Sequence, residues 1–162
     1  MVDQALVTSL ANACLKHRWR VTTAESCTGG LVAAAITSLA GSSDWFECGY
    51  VTYSNQAKIN DIQVPADLIE THGAVSEEVA RAMAIGAKQT SGASISLAIT
   101  GIAGPAGGTI NKPVGTVCFG WSLPDALTLS ETRHFQGDRS SIREQSVTHS
   151  LHHLIHLLNN RA

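Results

Sequence analysis

A change of hydrophobic period around residues 23–30 constrains the fold of this chain more than any other feature of its sequence. The run Trp19–Thr23 is typical of a β-strand, and the alanine-rich run Leu31–Leu39 has the spacing of a helix. A strand is therefore predicted to pass into a helix at Ser26. The junction reads Thr23-Ala24-Glu25-Ser26-Cys27-Thr28-Gly29-Gly30.

Such a junction is a candidate binding site, because the first turn of a helix has free N–H groups that bind an anion or an oxyanion. Gly29 and Gly30 would also let a ligand approach the backbone closely. The alternative interpretation is that Ser26 or Thr28 only caps the helix.

The rest of the chain alternates between helical and strand patterns. Helices are predicted at residues 5–18, 29–40, 55–62, 65–73, 76–90 and 139–158, and strands at residues 19–23, 46–54, 94–100, 114–121 and 127–135. The strand at 94–100 is expected to be central, and the last two strands are close enough for an antiparallel hairpin. This order predicts an α/β fold in which helices cover both faces of a mixed sheet.

Composition limits the classes of function. The chain has 162 residues, of which 44% are hydrophobic, so a single domain is expected over residues 1–162. The net charge is -2, and the sequence has no run of like charge, so it offers no basic surface for binding nucleic acid or an anionic membrane. A small-molecule partner is therefore favoured. Charged residues make up 15%, below the ~25% of typical soluble domains, so we expect a homo-oligomer, dimeric or higher, that covers part of the surface.

The cysteines and the N-terminus predict a cytoplasmic protein. Cys14, Cys27, Cys48 and Cys118 show no C-x-x-C spacing, and the first residues lack the basic and then apolar pattern of a secretory signal. No apolar run approaches the ~20 residues that cross a bilayer, so no membrane segment is expected.

Three polar or glycine-rich loops follow predicted strands, at Ser26, at residues 53–58 and at residues 100–108. Ligands of an α/β sheet bind outside the carboxyl ends of its strands, so Ser26, Tyr53 and Lys58 are predicted to share one site. A serine hydroxyl needs a base, which a desolvated lysine can supply, while a tyrosine can relay or orient the proton. The alternatives are an exposed helix lysine and a half-buried strand tyrosine.

The glycine-rich loop Thr100–Gly108 matches neither the dinucleotide fingerprint nor the phosphate loop of ATPases. Its composition fits close approach to a ligand, with a flexible connector as the alternative. Arg139 and Arg143 begin the last predicted helix, where they are candidates to grip a phosphate. The alternative is that both are ordinary surface arginines.

Four histidines and one cysteine could instead form a metal site or supply a different nucleophile. His149, His152, His153 and His156 have the spacing of metal ligands on one helical face. They are predicted to lie opposite the leucine and isoleucine face, as a solvated stripe without a cysteine or carboxylate partner, so no metal is expected. Cys27 is a rival nucleophile if the helix start lowers its pKa, or else a buried core residue.

Five ordered blocks of the sequence carry a family resemblance. They are residues 23–30, Gly49–Asn55 with Lys58, His72–Ser76, Thr100–Pro105 with Gly107-Gly108, and Lys112–Val117. Together they span most of the chain, and they resemble the CinA C-terminal domain family, whose members include nicotinamide-nucleotide amidases. The resemblance implies a three-layer αβα sandwich and hydrolysis of the carboxamide of nicotinamide mononucleotide to nicotinate mononucleotide and ammonia, in pyridine nucleotide recycling.

The same resemblance implies roles for individual residues. Ser26 is the implied nucleophile, assisted by Lys58 and Tyr53, without a metal or a cofactor. The other site residues are expected to bind the nucleotide substrate, and they are Thr28, Gly29, Gly30, Asn55, Thr100, Gly101, Arg139 and Arg143.

Two other classes of function stay open. One is a catalytically inactive nucleotide-binding module of the same fold, in which Ser26 is a cap and no ammonia is released. The other is a cysteine hydrolase built on Cys27, which predicts loss of activity on thiol alkylation. A scaffold protein would give no reason for three glycine-rich or small-polar strand ends.

Overall fold

The computed structural model describes residues 1–161 of the chain. Its helices are α1 (Gln4–His17), α2 (Leu31–Thr37), α3 (Asn55–Ile62), α4 (Ala66–His72), α5 (Glu77–Ser91) and α6 (Arg139–Asn159). Its strands are β1 (Val21–Glu25), β2 (Phe46–Val51), β3 (Ile95–Gly101), β4 (Thr116–Ser122) and β5 (Thr128–His134). Within this range, no helix combines the length and the apolar character that crossing a membrane requires.

The strands of the described residues form one mixed sheet in the order β2-β1-β3-β4-β5. β1 is parallel to both β2 and β3, whereas β4 runs antiparallel to β3 and to β5. The predicted central strand and the late antiparallel hairpin are therefore confirmed. Because β1, β2 and β3 are parallel, the chain leaves all three at the same edge of the sheet, through residues 26, 52 and 102.

Helices cover both faces of this sheet. α1, α2 and α6 pack on one face, around a core that includes Trp121 and Leu151. α3, α4 and α5 pack on the other face, around a second core that includes Ile62 and Met83. The predicted three-layer αβα sandwich with a mixed sheet in a single domain is thus confirmed.

Local signals fix the position of α3, which carries Lys58. The hydroxyl of Ser54 caps this helix by accepting a hydrogen bond from the N–H of Ala57 at 3.0 Å. Gly86 of α5 lies so close to the end of α3 that an added Cβ would overlap the carbonyl oxygen of Ile62. The cap fixes where α3 begins, and the close contact packs its end against α5. The helix therefore has the bounds that the sequence predicts.

The helix after the glycine pair is shorter than predicted. It begins at Leu31 because Gly29 and Gly30 have φ angles of 59° and 100°, which lie outside the right-handed helical region. It ends at Thr37, whose hydroxyl donates a hydrogen bond to the carbonyl oxygen of Ala33 at 2.8 Å and so competes with the backbone. The stretch between this helix and β2 therefore forms turns and one short 3₁₀ helix at Ser42–Asp44.

Candidate active site

Ser26 lies in a tight turn between β1 and α2. β1 spans Val21–Glu25, two residues later than predicted, and α2 begins only at residue 31. The N–H of Ser26 donates to the carbonyl oxygen of Ile99 at 2.9 Å, and the carbonyl oxygen of Ser26 accepts from the N–H of Gly29 at 3.0 Å. The prediction that the strand passes directly into a helix at Ser26 is therefore wrong, and Ser26 is not a helix cap.

The first turn of α2 is bound by the side chain of Glu25. The N–H of Val32 donates to Oε1 at 2.9 Å, and the N–H of Ala33 donates to Oε2 at 3.1 Å. Glu25 is buried away from water, and the two hydrogen bonds and the helix dipole stabilise its carboxylate in place of water. This end of α2 therefore binds an anion of the protein itself. Sequence reasoning missed this role of Glu25, although an acidic residue at the end of a buried strand was a signal for it.

Lys58 reaches from α3 to the Ser26 hydroxyl. Its side chain is 1% exposed, and its Nζ lies 3.0 Å from Ser26 Oγ. Nζ also donates to the carbonyl oxygens of Thr52 at 2.8 Å and Tyr53 at 3.2 Å. β2 ends at Val51, earlier than predicted, because the two following carbonyls turn toward this amine.

Burial lowers the pKa of Lys58 from 10.5 to about 8. A neutral amine keeps two N–H bonds, which suit the two carbonyl oxygens, and turns its lone pair toward Ser26 Oγ. The charged amine donates to Ser26 Oγ, and the Ser26 hydroxyl then donates to the carbonyl oxygen of Tyr53 at 3.3 Å; loss of a proton from Nζ frees its lone pair to accept from that hydroxyl. The arrangement can therefore take a proton from the serine hydroxyl.

A cavity of about 290 Å³ opens over the Ser26–Lys58 pair. It lies at the edge where the parallel strands end, and its volume is near the lower end of the range for small-molecule sites. The predicted site residues that line it are Ser26, Tyr53, Asn55, Lys58, Thr100, Gly101 and Arg139. Cys27, residues 74–75, residues 102–104 and residues 106–107 complete its wall.

The hydroxyl of Tyr53 lies at the mouth of this cavity. The side chain is 60% exposed, and its hydroxyl accepts a hydrogen bond from Arg139 Nη2 at 3.3 Å. Arg139 Nη1 donates to the carbonyl oxygen of Gly104 at 2.9 Å. Tyr53 thus contacts Lys58 through its carbonyl oxygen, while its phenol and Arg139 form a polar rim.

Four of the predicted binding residues lie outside the cavity lining. Arg143 braces the Ser26 turn, because Nε donates to the carbonyl oxygen of Cys27 at 3.0 Å and Nη2 donates to that of Thr28 at 3.1 Å. An added Cβ at Gly29 would lie 3.4 Å from Arg143 Nη2. Thr28 is fully buried, and Gly30 precedes α2. The structure therefore places these four residues around the turn.

Cys27 lines the same cavity as Ser26, but its thiol is poorly suited to attack. Cys27 is 6% exposed, and burial raises the pKa of its thiol to about 12. A thiol with so high a pKa contains almost no thiolate at neutral pH. The geometry therefore favours Ser26 over Cys27 as the nucleophile.

The histidines of α6 differ from the predicted solvated stripe. His152 and His156 are exposed, but the His149 and His153 side chains are only 19% and 31% exposed. A carboxylate partner, which the prediction lacked, comes from Glu131 on β5, whose Oε2 lies 2.8 Å from His149 Nε2. The prediction was wrong for these two histidines because the strand that faces them is distant in sequence.

The family model of the CinA C-terminal domain matches residues 3–158 of this chain. A nicotinamide-nucleotide amidohydrolase PncC of Pseudomonas putida is 49% identical over 152 residues, which cover 94% of each chain. A putative competence-damage inducible protein of Symbiobacterium thermophilum is 49% identical over 158 residues. That match covers 92% of this chain but 37% of the relative, so the chain spans little more than a third of that longer protein.

This chain is also similar to solved structures. The competence damage-inducible protein A (ComA) from Klebsiella pneumoniae superimposes with a TM-score of 0.93 and 37% sequence identity. The match covers 98% of this chain and 98% of that one.

Proposed function

This chain belongs to the CinA C-terminal domain family, and from that membership and the serine–lysine pair we propose that it is a nicotinamide-nucleotide amidase. Its reaction would convert the carboxamide of nicotinamide mononucleotide to the carboxylate of nicotinate mononucleotide, with release of ammonia, in pyridine nucleotide recycling. The name of the Pseudomonas putida relative supports this substrate. The single observation that carries the proposal is the buried Lys58 Nζ at 3.0 Å from Ser26 Oγ.

Lys58 is the general base of the proposed mechanism. Its neutral amine takes the Ser26 hydroxyl proton while Ser26 Oγ attacks the carboxamide carbon. The protonated Lys58 then gives this proton to the leaving nitrogen, so that ammonia departs and an acyl-enzyme ester remains. Lys58 next takes a proton from water, which attacks the ester, and it returns that proton to Ser26 Oγ as the acid is released.

Backbone N–H groups of the Ser26 turn are our candidates for the oxyanion contacts. The N–H groups of Cys27 and Thr28 donate to no backbone or side-chain acceptor within residues 1–161. Arg143 holds the carbonyl oxygen of Cys27, which shares a peptide group with the N–H of Thr28, and the hydrogen bond from Gly29 to the carbonyl oxygen of Ser26 likewise orients the N–H of Cys27. Loss of one such contact typically costs ~100-fold or more in rate.

Arg139 is our candidate for the substrate phosphate. Its guanidinium lies at the rim of the cavity beside the Tyr53 hydroxyl, where a planar donor can bind a phosphate through two hydrogen bonds. Asn55, Thr100 and Gly101 line the wall and are candidates for the pyridine and ribose. Because Ser26, Lys58 and backbone groups supply every step, the proposed reaction uses neither a metal nor a cofactor.

We also propose a cytoplasmic homo-oligomer. All four cysteines are free thiols, which suits a reducing compartment. Leu31 and Val51 are large apolar side chains with exposures of 36% and 52%, and a second subunit would cover them. Sedimentation at micromolar concentration tests this proposal, and a single monomeric species would refute it.

Ammonia release from nicotinamide mononucleotide tests the amidase proposal. The parent is compared with Ser26→Ala, Lys58→Met and Cys27→Ala, each checked for fold by circular dichroism. We expect Ser26→Ala to fall close to background, Lys58→Met to fall by orders of magnitude and Cys27→Ala to keep most activity. Substantial activity in Ser26→Ala would move the chemistry to another nucleophile. A parent that binds the nucleotide without releasing ammonia would be an inactive binding module instead.

A further inference from the structure

A cluster of possible metal ligands lies on the face of the sheet that α6 covers. Glu131 of β5 is paired with Phe119 of β4, and its side chain points to α6. His149 and His153 are one helical turn apart, so their rings lie on the same side of α6. The coordinating atoms of the three side chains all lie within 4.8 Å of one another.

We propose that Glu131, His149 and His153 bind a divalent first-row transition-metal ion, for which Zn²⁺ is the reference. Two imidazoles and one carboxylate form a donor set that Zn²⁺ and its neighbours accept. Bond lengths of about 2.0–2.2 Å around a tetrahedral ion require ligand atoms to lie roughly 3.4 Å apart. The observed separations from Glu131 Oε2 are 2.8 Å to His149 Nε2 and 4.0 Å to His153 Nδ1, so they bracket that value.

The surroundings hold all three ligands in place. The His149 ring packs against Phe119 with centroids 4.8 Å apart, and the His153 ring packs against Trp121 at 4.3 Å. Arg133 Nη1 donates to Glu131 Oε1 at 3.3 Å, which leaves Oε2 to face the histidines. Such neighbouring contacts orient metal ligands and raise affinity.

An ion can reach this cluster from solvent. The three side chains are 19–31% exposed, which leaves an entry path and room for water in the remaining coordination positions. The ion would join α6 to β5. The cluster is separate from the amidase site, because His149 follows Arg139 by ten residues, or about 15 Å along α6.

Isothermal titration of the whole chain with Zn²⁺ tests the proposal. The variants are Glu131→Gln and His153→Gln, and His152→Gln is the matched control because it removes an exposed histidine of the same helix. We expect one Zn²⁺ per chain in the parent and in His152→Gln, with affinity weakened at least ~10-fold in the two ligand variants. Equal affinity in Glu131→Gln and the parent, or no saturable binding in the parent, would overturn the proposal.

Two further measurements distinguish this cluster from metal binding elsewhere on the chain. In Co²⁺ titrations, a charge-transfer band from thiolate would assign the site to cysteine and refute this assignment. Zn²⁺ in excess should raise the melting temperature of the parent and of His152→Gln, but not that of Glu131→Gln, because an ion that binds only the folded chain stabilises it. If either ligand variant fails to fold by circular dichroism, the other decides the question by the same comparison.

Discussion

The burial of Lys58 makes a quantitative prediction about the pH dependence of the proposed amidase reaction. With a pKa of about 8, roughly one Lys58 amine in ten is neutral at pH 7. With its ordinary value of 10.5, about three in ten thousand would be neutral, so burial increases the amount of active base about 300-fold. Because only the neutral amine accepts the serine proton, kcat/KM should rise about tenfold per pH unit below 8 and level off above it.

The assay is ammonia release from nicotinamide mononucleotide between pH 6 and 9.5, for the parent, Lys58→Arg and Lys88→Met. Lys58→Arg should be inactive throughout, since a guanidinium stays protonated. Lys88→Met is the matched control, because burial also lowers the pKa of Lys88, which donates to the carbonyl oxygen of Leu123 at the opposite edge of the sheet. A flat parent profile, or a Lys88→Met profile that loses the rise, would refute Lys58 as the base.

Three further variants separate binding, bracing and stability. Arg139→Ala should raise KM for nicotinamide mononucleotide more than it lowers kcat, and the opposite split in steady-state kinetics would remove Arg139 from the phosphate. Arg143→Ala should instead lower kcat, because the two turn carbonyls lose their donors; an unchanged kcat would argue against bracing. Glu25→Ala should lower the free energy of unfolding in urea by about 3 kcal/mol, since the N–H groups of Val32 and Ala33 lose a charged acceptor. A loss well under 1 kcal/mol would contradict that reasoning.

Elements whose signals are contiguous in sequence could be predicted with accurate bounds. α3 has a serine cap, a short helical run and a following proline, and it begins and ends where expected. α5 begins directly after Ser76, whose hydroxyl accepts from the N–H of Val79. The turn after β1 was harder, because its geometry depends on the positive φ angles of Gly29 and Gly30 and on a carboxylate that binds the next helix.

The site could be predicted only in part, for a related reason. Strand ends bring Ser26 and Lys58 together, and the order of elements is enough to suggest this. Arg139 and Arg143 are four residues apart and look equivalent in sequence, yet one reaches the cavity rim and the other the back of the turn. The direction in which each arginine side chain points depends on packing between elements that are distant in the chain. The pairing of Glu131 with the α6 histidines has the same origin.

The position of α6 also has a consequence for when the site is complete during synthesis. Ser26 and Lys58 are only 32 residues apart, and both lie in the first half of the chain. Arg139, in contrast, lies 86 residues after Tyr53, its partner at the cavity rim. A nascent chain thus contains the proposed nucleophile and base long before the arginine leaves the ribosome. On the proposed role of Arg139, full substrate affinity is acquired last, when the C-terminal helix docks and closes the rim.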